Sequence, residues 1–232
     1  MSEIAQRIVQ IRKRIAEAAA RVGRPPEEIE LIAVSKTVDI PQVLDAYENA
    51  GQVVFGENRV QELVRKYDER FQWHQIGHLQ TNKVKYIVDK VTLIHSVDSL
   101  HLAEEIDRQG GKIGRVVPIL LQVNVSGEES KFGVDPGEVF SLVTKMSQMR
   151  NISLKGLMTM APNVTNPEET RTIFRKLRNQ YIDIINKNID NVNMKYLSMG
   201  MSNDFEIAVE EGANLVRIGS SIFTKDKKME RL

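Results

Sequence analysis

Leu31-Ile32-Ala33-Val34-Ser35, then Lys36, then the helix signal Asp39-Ile40-Pro41, is the stretch on which the fold of this chain turns. A short run of aliphatic and β-branched residues reads as a buried strand, and the Asp-x-Pro that follows opens a helix. The same unit recurs along the sequence. β-rich runs fall at 31–35, 53–55, 72–76, 93–96, 117–123, 154–158, 196–198 and 215–218. Amphipathic stretches such as 43–49, 100–109, 139–149 and 168–186 lie between them. Ahead of the first strand, Ile4, Ile8, Ile11 and Ile15 recur at helical spacing and predict an extra helix over 3–22, ending near Gly23-Arg24-Pro25-Pro26. Strict alternation argues for a parallel sheet with crossover helices. Eight such units in about 200 residues match a (β/α)8 TIM barrel, typically about 250 residues. A doubly wound open sheet is the alternative. No linker or low-complexity segment divides the chain, so residues 1–232 read as one domain.

Composition narrows the function. Hydrophobic residues make up 41% and charged residues 27%, an ordinary balance with material for a core. The net charge of +1 gives no bulk argument for a nucleic-acid or membrane partner. With no cysteine there is no disulfide framework, thiolate metal site or cysteine nucleophile. The first residues lack a continuous apolar segment, and no apolar stretch approaches the about 20 residues of a membrane span. A cytoplasmic location is the expectation.

In a barrel, chemistry gathers at the C-terminal ends of the strands, and phosphate commonly binds the loops after strands 7 and 8. Ser198-Met199-Gly200-Met201-Ser202 follows strand 7, and Arg217-Ile218-Gly219-Ser220-Ser221 spans the end of strand 8. Both are small-residue loops that let backbone N–H groups approach an anion. Taken alone, Ser202 is a helix cap and Gly219 a turn; in these two positions together they predict a phosphate cradle. Lys36 follows strand 1, the neighbour of strand 8 in a closed barrel. A lysine held among apolar side chains loses charge stabilisation and becomes a neutral amine able to form a Schiff base. An amine and a phosphate cradle at one mouth point to a phosphorylated aldehyde, with pyridoxal 5'-phosphate the candidate. Arg217 alternates with Leu215 and points inward. It is either paired with a carboxylate such as Glu57 or Asp204, or a donor to the cofactor's ring nitrogen. Lys13, Lys66, Lys145, Lys176 and Lys187 read as helix positions, with Arg65, Lys66, Lys83 and Lys85 on solvated faces. His74 and His78 lack the helical spacing of a zinc pair. His95 and His101 read as ordinary hydrogen-bonding residues, and Ser126 with Glu128 and Glu129 lacks a hydrolase elbow.

Several motifs recur together: Ala33-Val34-Ser35-Lys36, Phe55-Gly56-Glu57-Asn58, Trp73-His74-Gln75-Ile76-Gly77 with Leu79-Gln80-Thr81-Asn82-Lys83, and Asn124-Val125-Ser126-Gly127-Glu128. With Gly156-Leu157-Met158-Thr159-Met160-Ala161-Pro162, Met199-Gly200-Met201-Ser202 and Val216-Arg217-Ile218-Gly219, they resemble the pyridoxal phosphate homeostasis proteins. That resemblance, from about residue 2 to 223, implies the barrel of fold-type III enzymes, as in the N-terminal domain of alanine racemase. It implies Lys36 as the Schiff-base lysine, Ser202, Gly219 and Ser220 on the phosphate, Arg217 facing the ring nitrogen and Asn58 near the ring, with Met199 and Gly200 in the binding loop. The family often continues with Gly-x-Arg where this chain has Thr224-Lys225-Asp226.

The implied role is a carrier of the cofactor without turnover. A two-base racemase needs a second proton donor, which in the related racemases comes from an additional β-domain of the partner subunit; no such domain is expected here. The alternatives are a single-domain racemase and a cofactor-independent Schiff-base aldolase. The expected partners are the small molecule and the apo-enzymes that receive it, with no metal and a monomeric state.

Overall fold

A computed structural model describes residues 1–128 and 131–224 of the chain; the calls on Glu129, Lys225 and Asp226 fall outside them. Eight parallel strands close into a barrel in sequence order: β1 (Glu30–Val34), β2 (Val54–Glu57), β3 (Gln72–Gln75), β4 (Val91–Val97), β5 (Val117–Gln122), β6 (Ile152–Met158), β7 (Tyr196–Ser198) and β8 (Leu215–Ile218). All eight runs read from the sequence are strands. Closure comes from β1 pairing with β8, where Ile32 stands opposite Arg217. The open-sheet alternative is therefore excluded.

The helices α1 (Glu3–Arg21), α2 (Ile40–Ala50), α3 (Val60–Lys66), α4 (Leu100–Lys112), α5 (Val139–Met146), α6 (Arg171–Asn186), α7 (Phe205–Glu210) and α8 (Ser220–Phe223) form the outer layer. Between β3 and β4 the crossover is a 3-10 helix, Thr81–Tyr86. α1 starts where the Ser2 hydroxyl accepts the Ala5 N–H and stops at Val22 ahead of a left-handed Gly23. Its stripe of Ala5, Ile8, Ile11, Ile15 and Ala18 is buried, packing beside α2 and α7. α2 starts with a reciprocal capping box between Asp39 and Gln42, so the helix signal after Lys36 is real.

Two apolar layers result. The larger lies between barrel and helices and holds Phe55, Trp73, Ile94, Leu157 and Phe174. The smaller fills the barrel itself with Ile32, Val54, Leu93, Leu120, Met158 and Leu215. Two residues further along the strands, the inward positions turn polar: His95 after Leu93, Gln122 after Leu120 and Arg217 after Leu215. That change of chemistry marks the end of the barrel where a site can form. No helix among the described residues is long and apolar enough to cross a membrane.

Candidate functional site

At the C-terminal ends of the strands lies a cavity of about 490 Å³ whose wall includes Lys36, Asn58, Ser202, Arg217, Gly219 and Ser220. Six of the eight residues singled out in the sequence therefore meet at one place. The other two stand behind it. The Met199 side chain is fully buried in the outer core and its N–H donates to Leu215 O at 3.2 Å. Gly200 is buried, its carbonyl accepting the Arg217 N–H at 3.1 Å. They shape the loop and do not line the cavity.

Each wall residue is set by its element. Lys36 stands in a turn just past β1 and is exposed, which corrects the expectation of an amine packed among apolar side chains. The two loops after β7 and β8 do approach each other: Ser220 Oγ donates to Ser202 Oγ at 2.9 Å, with the Ser221 N–H 3.5 Å from the same atom. Asp204 closes the Ser202 loop by accepting the Met201 N–H at 2.6 Å, and burial raises its carboxyl above the usual range. Asn58 is placed by a close crossing of chains. A Cβ on Gly77 would lie 2.5 Å from the Asn58 carbonyl oxygen, so only glycine lets the end of β3 pass there.

Arg217 is 4% exposed and pairs directly with neither Glu57 nor Asp204. One Nη donates to the Ser198 hydroxyl, and the other donates to Thr159 O at 2.9 Å. Burial lowers its pKa to about 10, opposed by the charge of Asp204, so the guanidinium stays protonated at neutral pH. Ser198 continues the network: its Oγ is 2.9 Å from His95 Nδ1, and His95 Nε2 is 3.0 Å from His74 Nδ1. Arginine only donates, so Ser198 accepts from it, and the chain of contacts runs on from Ser198 through His95 to His74. Burial lowers His74 to about 3 and also lowers His95 well below its ordinary value, helped there by His74 and Arg217. Both imidazoles are neutral at neutral pH.

Reading His95 as an ordinary hydrogen-bonding residue understated it. Its place two residues after Leu93 on β4 was the available signal. His78, in the polar segment that ends strand 3 and was expected at the mouth, lines the cavity; its Nδ1 lies 3.0 Å from Asp98 Oδ2 and its ring stacks on Phe132 at 4.0 Å between centroids. Gln122 Nε2 donates to Phe132 O at 2.9 Å, holding that loop over the mouth. Lys66 contradicts its reading as a solvated helix lysine; it is 3% exposed and bonded to Glu57 Oε1 at 2.7 Å. Among the described residues, no group of three or more His, Asp or Glu side chains is arranged to hold a metal.

The closed eight-stranded barrel, with a primary amine, a pair of hydroxyls and a buried guanidinium gathered at its mouth, is of the fold-type III class. Residues 7–226 match the family model for the alanine racemase N-terminal domain. A pyridoxal phosphate homeostasis protein of Aquifex aeolicus is 45% identical over 226 residues, covering 96% of this chain and 98% of that one. The chain belongs to the family of pyridoxal phosphate homeostasis proteins within that barrel class. PipY of Synechococcus elongatus, solved with PLP bound, superposes with a TM-score of 0.79 at 37% identity, covering 90% of this chain and 99% of that chain. The crystal structure of an unknown protein from Bifidobacterium adolescentis gives a TM-score of 0.89 at 36% identity over 95% of this chain and 94% of that one.

Proposed function

We propose that the protein binds pyridoxal 5'-phosphate through Lys36 and acts in pyridoxal phosphate homeostasis as a carrier rather than a catalyst. One observation carries the reading: Lys36, Asn58, Ser202, Arg217, Gly219 and Ser220 line a single cavity. The donor set suits this group. Bound there, it would supply an aldehyde with which the Lys36 amine condenses as a Schiff base, releasing water. The Ser202 and Ser220 hydroxyls and the Ser221 N–H would hold the phosphate, with Gly219 between the strand and the hydroxyls. Asn58, braced by Gly77, would flank the ring. Arg217 would donate to the ring nitrogen, and a donor-only guanidinium keeps that nitrogen unprotonated, which weakens the electron sink that catalysis on amino acids exploits. The cofactor-bound relative PipY and the naming of the curated relatives support the same role. The protein is proposed to work as a monomeric unit that supplies apo-enzymes.

The test is an absorbance spectrum after cofactor addition, then borohydride reduction and peptide mapping. A yellow imine band and one reduced adduct on Lys36, both lost in Lys36→Ala, are the expected result. An adduct scattered over surface lysines would overturn it. A racemase reading gains one observation, His78 on the cavity wall with Asp98 3.0 Å from its Nδ1. Alanine racemisation that disappears in His78→Gln would favour it; the carrier reading expects no turnover in either protein.

A further inference from the structure

Lys36 owes its position to backbone held by other residues. Its side chain is exposed, and a flexible four-carbon stem gives the amine no fixed direction. The turn beneath it supplies the direction. Ser35 O accepts the Val38 N–H at 3.1 Å, which makes Lys36 and Thr37 the central residues of a tight turn. That turn starts from a residue gripped on three sides. The Ser35 N–H donates to Gly56 O at 3.0 Å. Its hydroxyl donates to Glu57 Oε1 at 2.7 Å, and its carbonyl accepts from Lys66 Nζ at 2.8 Å.

Lys66 and Glu57 are bonded to each other at 2.7 Å, with side chains 1% and 0% exposed. A buried ion pair is a poor route to stability, because both charges lose their hydration and apolar residues of like volume often serve as well. What apolar residues could not do is present a charged donor to one chosen carbonyl. The pair comes from the end of β2 and the last turn of α3, so it ties two elements to the tip of a third. The preceding residue, Arg65, donates to Asp39 Oδ1 at 2.8 Å. Consecutive cations of α3 therefore hold both ends of the segment that carries Lys36.

We propose that Lys66, held by Glu57, is a positioning residue for Lys36: it fixes the Ser35 carbonyl and so aims the amine into the cavity. The proposal rests on the reading of Lys36 as the cofactor lysine. The test compares two ligands. Pyridoxal 5'-phosphate needs both the phosphate cradle and a correctly placed amine; pyridoxamine 5'-phosphate, which has no aldehyde, needs only the cradle. In the double substitution Glu57→Gln with Lys66→Met, which leaves no lone buried charge, imine formation should slow by about tenfold or more. Affinity for pyridoxamine 5'-phosphate should stay unchanged.

Equal losses for both ligands, or no loss for either, would overturn the proposal. A second measurement needs no variant: in the unaltered, ligand-free protein the Val38 amide, which closes the turn, should exchange hydrogen as slowly as the β1 amides. Exchange at the rate of an exposed loop would also overturn it. If the unaltered protein forms no adduct on Lys36, the functional reading itself fails, and that outcome is distinct from a positioning failure because it appears before any substitution.

Discussion

Ser198 sits at the middle of the relay below the cavity, taking a hydrogen bond from Arg217 and sharing one with His95. Ser198→Ala would leave a buried guanidinium and a buried imidazole each short of a partner. A loss of about 1–3 kcal/mol is expected in urea unfolding, the cost of an unsatisfied buried polar group. The arrangement that gives the buried Ser198 O–H an acceptor has it donating to His95 Nδ1; nitrogen NMR of the folded protein should then find His95 protonated on Nε2 and unprotonated on Nδ1, and Ser198→Ala should release that preference. At this scale the sequence was legible where a residue type is rare in its setting: a lysine at a strand tip, an arginine alternating with a core leucine. Lys66 was missed although its signal was present. Val60, Leu63 and Lys66 are spaced by three on one helix, and all are buried. A charged residue at a core-facing position implies a buried partner; Glu57, just past Phe55 on β2, was the partner at hand.

Elements were more legible than their joints. Short apolar and β-rich runs marked the strands because a strand covered on both faces is largely apolar, although β3, Gln72-Trp73-His74-Gln75, holds one apolar residue among its four. What the runs could not show is how closely neighbouring strands approach. Gly156 stands opposite Tyr196 in the β6–β7 ladder, and a Cβ there would lie 1.8 Å from the Tyr196 carbonyl oxygen. Gly156→Ala must therefore push β7 away from β6, and β7 carries Ser198 and leads into the Ser202 loop. Overpacking of this kind costs about 1–3 kcal/mol or more. A lowered melting temperature together with weaker cofactor binding is the expected pair of effects, read by thermal melting and by imine titration. A stable protein that binds normally would contradict it. The 3-10 crossover at Thr81–Tyr86 escaped the sequence for a related reason: periodicity separates helix from strand but does not distinguish a short tight helix from a longer α-helix.

For the whole molecule the buried histidines set the response to acid. The unfolded imidazole takes up a proton near its ordinary value of about 6.5. The folded protein does not protonate His74 until about pH 3, and His95 is lowered as well. Below about pH 6.5 the unfolded state thus binds protons that the folded state refuses, and stability falls as pH falls. The slope approaches about 1.4 kcal/mol per pH unit for each histidine, from about pH 6.5 downward. Melting temperatures measured from pH 7.5 to 4.5 should decline, and a flat profile would mean that both rings are solvated. In the outer layer, Arg171 joins Glu168 to Glu210 and Glu211, and Arg21 and Arg175 extend the network across α1, α6 and α7. These pairs are partly exposed, so salt should weaken them without touching the cavity.

The pairing of β1 with β8 also orders events during synthesis. Lys36 leaves the ribosome early and then waits through the making of seven further strands before Gly219 and Ser220 appear. A nascent chain that has reached β7 possesses the amine but only half of the cradle, and its barrel is still an open sheet with two bare edges. Cofactor capture therefore belongs to the finished chain. A molecule that then spans Lys36 and Ser220 fastens the first strand to the last, so loading should slow the unfolding of the whole barrel by holding shut the seam that closed last.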